Sequence, residues 1–136
     1  MRHEDITVRD MANKYIKIPI LNDQYFVIFV SGKQNRVQKI LKKFHYPDYD
    51  DPDVIGRFEK SQGITFLRDE CHPVIAMPAP PLEPAEIATL AHEAVHGVGH
   101  IFEHIGERLD GEAFAHSIGA VVRTVLQQQA QQAGKK

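Results

Sequence analysis

The sequence lacks the features that mark disulfide-rich, membrane-spanning and nucleic-acid-binding proteins. Among its 136 residues there is one cysteine, Cys71, which excludes an intramolecular disulfide framework and is typical of a reducing compartment. No apolar run reaches the length of a transmembrane helix, and Met1–Asp5 lacks the apolar stretch of a signal peptide. The formal net charge is −2, too close to zero to indicate a nucleic-acid or anionic-membrane surface. We therefore expect a cytoplasmic protein with neither partner.

The rest of the composition is that of an ordinary globular chain. With 43% hydrophobic and 25% charged residues, a chain of this length predicts a single domain with one modest core. Residues 1–13 are polar and aperiodic, which predicts a loose N-terminal arm. Residues 131–136 end in Gly-Lys-Lys after a glutamine-rich stretch, which predicts a disordered tail. The domain is therefore expected to occupy residues 14–130.

Four short segments have the pattern of β-strands. Tyr15–Leu21 and Gln24–Ser31 flank a turn signal at Asn22 and predict a hairpin. Gly63–Asp69 and Cys71–Met77 predict a second pair of short strands. Together they predict a short, mixed or mostly antiparallel sheet.

The remaining segments favour helices and loops. Lys33–Phe44 has apolar residues at helical spacing beneath a basic face, and Tyr46–Asp53 is an acidic, turn-rich surface loop. Leu82–Ile105 keeps helical periodicity, with Gly106 as a C-terminal cap and Asp110 as the N-cap of a further helix. The fold class is therefore expected to be α+β, with the sheet packed on the last two helices.

The first of these two helices carries the chemistry. It contains the run His92-Glu93-Ala94-Val95-His96, in which two histidines are four residues apart. On a helix, that spacing puts both imidazoles on one face, where they can bind one metal ion. Glu93 is rotated by about 100° from His92, off the ion but close to the water that such an ion activates. His92 and His96 are called the histidine pair below.

The apolar positions of the same helix argue against a structural role for the histidine pair. At about 100° per residue, the centre of the apolar stripe lies roughly opposite the pair, so His92 and His96 should face a cleft or solvent. The stripe consists of Ile87, Leu90, Ala91, Ala94, Val95, Val98, Ile101, Phe102 and Ile105.

A catalytic zinc usually takes three protein ligands, so a third is needed. His100 and His104 lie further along the same helix, too far from the pair to share its ion, and are expected to be exposed. The extended metzincin pattern would require a histidine at position 102, which is Phe102. Glu112 on the next helix is the best candidate, with His116 behind it.

The last third of the chain resembles a group of small His-Glu-x-x-His proteins. They are encoded largely by bacteriophages and prophages and are assigned as metallopeptidases. The resemblance is firmest over residues 87–122. It is carried by Ile87–His96, Ile101-Phe102, Ile105-Gly106 and Asp110–Ala115.

This resemblance implies a minimal zincin domain of the gluzincin type. In it, Zn²⁺ would be held by His92, His96 and Glu112, with Glu93 as general base. His116 stands where thermolysin-like enzymes have a ligand-orienting aspartate, and it could instead hydrogen-bond the substrate oxyanion. The substrate would be a peptide or protein in extended conformation, paired with an edge strand, for which Cys71–Met77 is the candidate.

Two other interpretations remain at this point. The protein could be a non-catalytic phage structural or host-factor-binding protein that keeps zinc as a staple, with His116 as a fourth ligand. Alternatively, no metal binds and the histidines are ordinary surface residues.

Overall fold

The α+β class is confirmed by the computed structural model, which describes residues 15–134, with side chains to residue 131. The predicted N-terminal arm, residues 1–13, lies outside the described residues. The last helix continues to Gly134, four residues beyond the predicted end of the domain. The elements described are β1 (Ile16–Ile20), β2 (Tyr25–Ser31), α1 (Gln34–Lys43), α2 (Pro52–Glu59), β3 (Ile64–Phe66), β4 (Val74–Met77), α3 (Pro84–His104) and α4 (Glu112–Gly134).

The four strands form one mixed sheet in the order β1-β2-β4-β3. The predicted hairpin is confirmed, since β1 and β2 pair antiparallel with Ile20 opposite Tyr25. Leu21, Asn22 and Asp23 all take positive φ angles in the connecting turn, where Asn and Asp are favoured residues. β2 pairs parallel with β4, and β3 pairs antiparallel with β4. Two of the three pairings are therefore antiparallel, as predicted.

The position of β4 corrects one expectation. Cys71–Met77 was the candidate edge strand, but β4 covers only Val74–Met77 and lies between β2 and β3. All four of its residues are buried, as is typical of a central strand covered on both faces. The strand at that edge of the sheet is β3.

Helices cover both faces of the sheet. Val27, Phe29, Ile75 and Met77 point to one face and pack against α3 and α4. The alternate residues of the same strands point to the other face, against α1 and α2. The sheet therefore lies between two pairs of helices, and the packing on α3 and α4 is as predicted.

Helix α3 has well-defined ends. The backbone amide of Glu83 donates to the Glu86 carboxylate at 3.0 Å, and Pro84 occupies the first turn. At the other end, Gly106 takes a φ of +76°, and the Glu107 amide donates to the Phe102 carbonyl at 2.8 Å. Gly106 is therefore the predicted cap.

Three details of the helices differ from expectation. Helix α2 begins at Pro52, inside the predicted loop, with Asp51 as its N-cap. Asp110 does not cap α4, because its carboxylate binds the Arg108 guanidinium at 2.9 and 3.0 Å. Val95, assigned to the apolar stripe, is 45% exposed.

Among residues 15–134, no helix is long and apolar enough to span a membrane.

The Tyr46 hydroxyl fixes the connection between β3 and β4. The tyrosine is 2% exposed, and its hydroxyl oxygen lies 2.8 Å from the Phe66 carbonyl and 2.7 Å from the His72 carbonyl. These carbonyls stand at the two ends of the β3–β4 loop. Burial of the side chain raises the pKa of Tyr46, so the hydroxyl remains a donor.

Tyr46→Phe should lower the free energy of unfolding by about 1 to 3 kcal/mol, because buried carbonyls lose their donor while the core volume is unchanged. Urea denaturation gives the value. Tyr49→Phe is the matched control, with an expected change within about 0.5 kcal/mol because Tyr49 is only partly buried. Equal stabilities for the two variants would contradict a role for the Tyr46 hydroxyl.

Candidate metal centre

Helix α3 brings the histidine pair together as the spacing predicts. His92 and His96 are both exposed, and their Nε2 atoms lie 3.2 Å apart. The imidazole rings meet edge to face, with centroids 4.8 Å apart. The two nitrogens thus lie on the same side of the helix, within hydrogen-bond distance of each other.

This separation fits a shared zinc ion. Two nitrogens bound tetrahedrally to one zinc ion, each at about 2.0–2.1 Å, are about 3.3 Å apart. The observed 3.2 Å is within 0.2 Å of that value. The Nε2–Nε2 distance of the histidine pair is therefore that of two ligands on one tetrahedral zinc, and it is also that of a hydrogen bond between the rings.

Glu93 occupies a different environment from its neighbours. Its side chain is 8% exposed, although glutamate is seldom buried without a partner. That partner is Thr65 on β3, whose hydroxyl donates to Glu93 Oε1 at 2.7 Å. Glu93 Oε2 has no hydrogen-bond partner among the residues that the structure describes. One carboxylate oxygen is thus held in place by the edge strand.

Glu93 and the first histidine of the pair border the same open space. His92 and Glu93 line a cavity of about 440 Å³ between α3 and the residues that lead into β3, Gln62 and Gly63. Gly63 allows the close approach, because a Cβ atom there would be 2.8 Å from Thr89 Cγ2 and 3.5 Å from Glu93 Cγ. The residues just before the edge strand therefore border the cavity.

Thr65→Val should lower the free energy of unfolding by about 1.5 to 3 kcal/mol, because it removes the hydrogen bond to a buried carboxylate and keeps the side-chain volume. Thr65→Ser restores the hydroxyl and should recover most of the loss. Chemical denaturation of the two variants measures both values. Equal losses in the two variants would assign the effect to packing instead.

The structure does not bring the third predicted ligand to the pair. Glu112 and His116 are exposed in the first two turns of α4. Among the described residues, no three His, Cys, Asp or Glu side chains are arranged to hold one ion. The three-ligand site of His92, His96 and Glu112 therefore stays a prediction, as does the role of His116.

The start of α4 nevertheless lies beside the motif helix. Phe114 meets Phe102 edge to face, with ring centroids 5.4 Å apart, and a Cβ atom on Gly99 would be 3.9 Å from its ring. Gly99 follows His96 by three residues. Glu112, two residues before Phe114, is thus on an element anchored against the C-terminal half of α3.

The further histidines of α3 differ in exposure. His104 is exposed as predicted, whereas the His100 side chain is 21% exposed. His100 Nε2 lies 3.3 Å from the Arg68 carbonyl and 4.0 Å from Asp69 Oδ1. His100 therefore faces the β3–β4 loop.

Comparison of the chain with protein-family models, with curated proteins and with solved structures finds no match.

Proposed function

We propose that the protein is a zinc-dependent peptidase, with the histidine pair as two of its metal ligands. The observation that supports this most strongly is the 3.2 Å separation of the two Nε2 atoms, one residue away from a buried, oriented glutamate. Two surface histidines that were close together by chance would not be expected beside a buried carboxylate that lines a cavity.

The proposed reaction uses the two oxygens of Glu93 differently. A zinc ion, when bound, acidifies a water molecule and polarises the scissile carbonyl. Thr65 holds Oε1, so Oε2 takes the proton of the attacking water and then delivers it to the leaving amine. Thr65 acts through Glu93 and is a positioning residue.

We place the substrate along β3. An edge strand has one row of backbone N–H and C=O groups outside the sheet, and an extended peptide can pair with that row. Gln62 and Gly63, which lead into β3, line the cavity that His92 and Glu93 also line. β3 thus takes the place first given to Cys71–Met77.

Glu112 is our choice for the third ligand. The contact of Phe114 with Gly99 and Phe102 keeps the first turn of α4 close to the motif helix. A carboxylate there would complete the two-histidine, one-glutamate set and leave one position for water. Replacing Glu112 or His116 by alanine and measuring zinc affinity discriminates between the two candidates.

The alternative is a non-catalytic zinc staple, in which His116 would be a fourth ligand. It differs from the peptidase in leaving no position for water. A cytoplasmic location, which is the host cytoplasm if the gene is carried by a phage, remains part of the proposal. It rests on the single cysteine, Cys71, which is typical of a reducing compartment.

The test combines metal content with hydrolysis. Untagged protein, purified without chelator, should contain about one zinc per chain and should cleave fluorescently labelled casein. A chelator should stop cleavage, and zinc should restore it. Protein that binds no zinc even when zinc is supplied would disprove the metal site. Zinc binding without hydrolysis of any unfolded protein would disprove the peptidase.

A further inference from the structure

The positive and negative charges of the chain are separated along the sequence. Residues 24–47 contain five lysines or arginines and no aspartate or glutamate. Residues 48–131, in contrast, contain fourteen aspartates or glutamates and five lysines or arginines. The net charge of −2 therefore conceals a strongly basic segment. Its five basic residues are Lys33, Arg36, Lys39, Lys42 and Lys43.

Beside this segment, the fold assembles four aromatic rings from distant parts of the chain. The Tyr15 ring meets the Phe44 ring edge to face, with centroids 5.3 Å apart. The Phe44 centroid is 6.3 Å from that of His72, which in turn is 5.7 Å from that of Phe26. All four side chains are half-buried, so part of each remains exposed to solvent. These four residues are called the aromatic row below.

Lysines stand at both ends of the aromatic row. Lys17 Nζ is 4.3 Å from the centroid of the Phe26 ring, and Lys43 Nζ is 5.8 Å from that of the Tyr15 ring. Lys39 is four residues before Lys43, on the same face of α1. All three lysines are exposed, and none forms an ion pair with a carboxylate of the described residues. Their charges are therefore free to bind an anion from solution.

The charge that acts on the inner part of the row is also positive. Asp69 and Glu70 precede His72 in the β3–β4 loop, but the charged group that acts on the His72 imidazole is the Lys17 ammonium. Burial of the ring, and then this ammonium, lower the pKa of His72. The imidazole is therefore a neutral aromatic ring at neutral pH.

The aromatic row and its lysines lie on the sheet face that α3 does not cover. Lys17 is opposite Ile28 in the β1–β2 register, so both side chains point to the face covered by α1 and α2. Phe26 is two residues before Ile28 on β2 and points to the same face. His92 and His96 belong to α3, which packs on the other face. The surface is therefore separate from the candidate metal centre.

Single-stranded nucleic acid is the ligand that matches both parts of this surface. Proteins bind it without sequence preference by placing lysines against the phosphates and aromatic rings against the bases. An acidic peptide would use the lysines but has no flat group for the rings. A membrane surface would require apolar side chains that project from the protein, whereas these rings are half-buried and pack edge to face.

We propose that the aromatic row, together with Lys17, Lys39 and Lys43, binds single-stranded nucleic acid. Phosphates bind the lysines at the two ends, and bases stack on the rings between them. The expectation that the protein has no nucleic-acid partner rests on the net charge of the whole chain, which does not describe this surface. No residue of the metal centre contributes, so the binding does not depend on the peptidase.

The test is the fluorescence anisotropy of a fluorescein-labelled oligothymidylate of about 12 nucleotides, titrated with the full protein at about 50 mM salt. We expect saturable binding. The logarithm of the affinity should fall with the logarithm of the salt concentration with a slope of about −2, as for three neutralised phosphates. Lys17→Gln combined with Lys43→Gln should weaken binding at least about tenfold and make the slope shallower by about 1.4.

The matched control is Lys60→Gln combined with Arg123→Gln, which removes two exposed positive charges outside this surface. It should change the affinity by less than about twofold. Failure of the unmodified protein to bind the oligonucleotide would overturn the proposal. An equal loss in the control would also overturn it, by assigning the effect to overall charge.

A second comparison tests the rings. Phe26→Leu keeps an apolar side chain and removes one ring, so it should weaken binding about fivefold or more. An abasic oligonucleotide of the same length should bind the unmodified protein more weakly by a similar factor. Equal binding of the abasic strand would disprove base stacking. Tighter binding of polyglutamate of the same charge would replace the nucleic acid with an acidic protein partner.

His92→Ala separates this surface from the metal centre. The variant should bind the oligonucleotide as the unmodified protein does, because His92 is on the other side of the sheet. Loss of oligonucleotide binding in His92→Ala would place the nucleic acid at the histidine pair and overturn the proposal. A protein that binds the oligonucleotide but no zinc would disprove the peptidase and leave this surface assigned.

Discussion

Replacing His92 with alanine is expected to abolish zinc binding. The two Nε2 atoms of the pair, 3.2 Å apart, provide a chelate that a single histidine cannot. Mutation of groups that merely support metal ligands already weakens binding by about 10–100-fold, so losing a ligand should weaken it by at least a hundredfold. Titration with a chromophoric zinc chelator as competitor measures the affinity.

A thermal scan separates the loss of zinc from a loss of fold. His92 is exposed, so His92→Ala should change the stability of the metal-free protein by less than about 0.5 kcal/mol. Zinc at about 100 times its Kd should stabilise the unmodified protein by about 2.7 kcal/mol and raise its Tm by roughly 10 °C. The variant should show no such rise.

The control for this experiment is another exposed histidine. His45 has a φ of 69°, a conformation that asparagine also tolerates, so His45→Asn removes an imidazole with little strain. It should bind zinc as the unmodified protein does. If His92→Ala retained full zinc affinity, the ion would be bound elsewhere and the assigned centre would be wrong.

The sequence was informative about the motif helix because its signals are local. Periodicity, the proline at its start and Gly106 at its end are all within or beside α3, and each agrees with the structure. The spacing of His92 and His96 depends on helix geometry alone. The sequence alone therefore predicts that the two imidazoles lie on one face of the helix.

Strand order could not be predicted with the same success. β2 and β4 are separated by α1, α2 and β3, so their parallel pairing depends on long-range packing. The composition held a usable signal: the Val74–Met77 run is uniformly apolar, whereas Ile64–Phe66 contains Thr65. An unbroken apolar strand indicates a central position, and that signal should have favoured β3 as the edge.

Helix α2 was missed although its signals are also local. Asp51 followed by Pro52 has the pattern of an N-cap and a first helical residue, and Ile55 and Phe58 follow at helical spacing. The loop predicted over Tyr46–Asp53 therefore includes the first two residues of the helix. The contact of Thr65 with Glu93, in contrast, joins residues 28 positions apart, and no local pattern indicates it.

Glu93→Gln is expected to abolish hydrolysis and to leave zinc binding intact. Glutamine keeps the size of the side chain, and its amide oxygen can accept the Thr65 hydroxyl as Oε1 does. What it loses is the ability to take a proton at the second oxygen. Removal of a general base typically lowers kcat by about 10²- to 10⁴-fold. Steady-state assays on a peptide that the unmodified protein cleaves would measure this decrease in kcat.

The matched control is Glu103→Gln, the same exchange at an exposed position of the same helix, which should leave kcat unchanged. Zinc affinity, unfolding free energy and kcat of Glu93→Gln then test three separate properties of this residue. Unchanged zinc affinity shows that Glu93 is not a ligand, and a small change in unfolding free energy shows that the Thr65 contact persists. If kcat is lost while zinc affinity and stability are kept, proton transfer is assigned to Glu93. Full activity would mean that another residue is the general base. Glu93 would then be only a structural partner of Thr65.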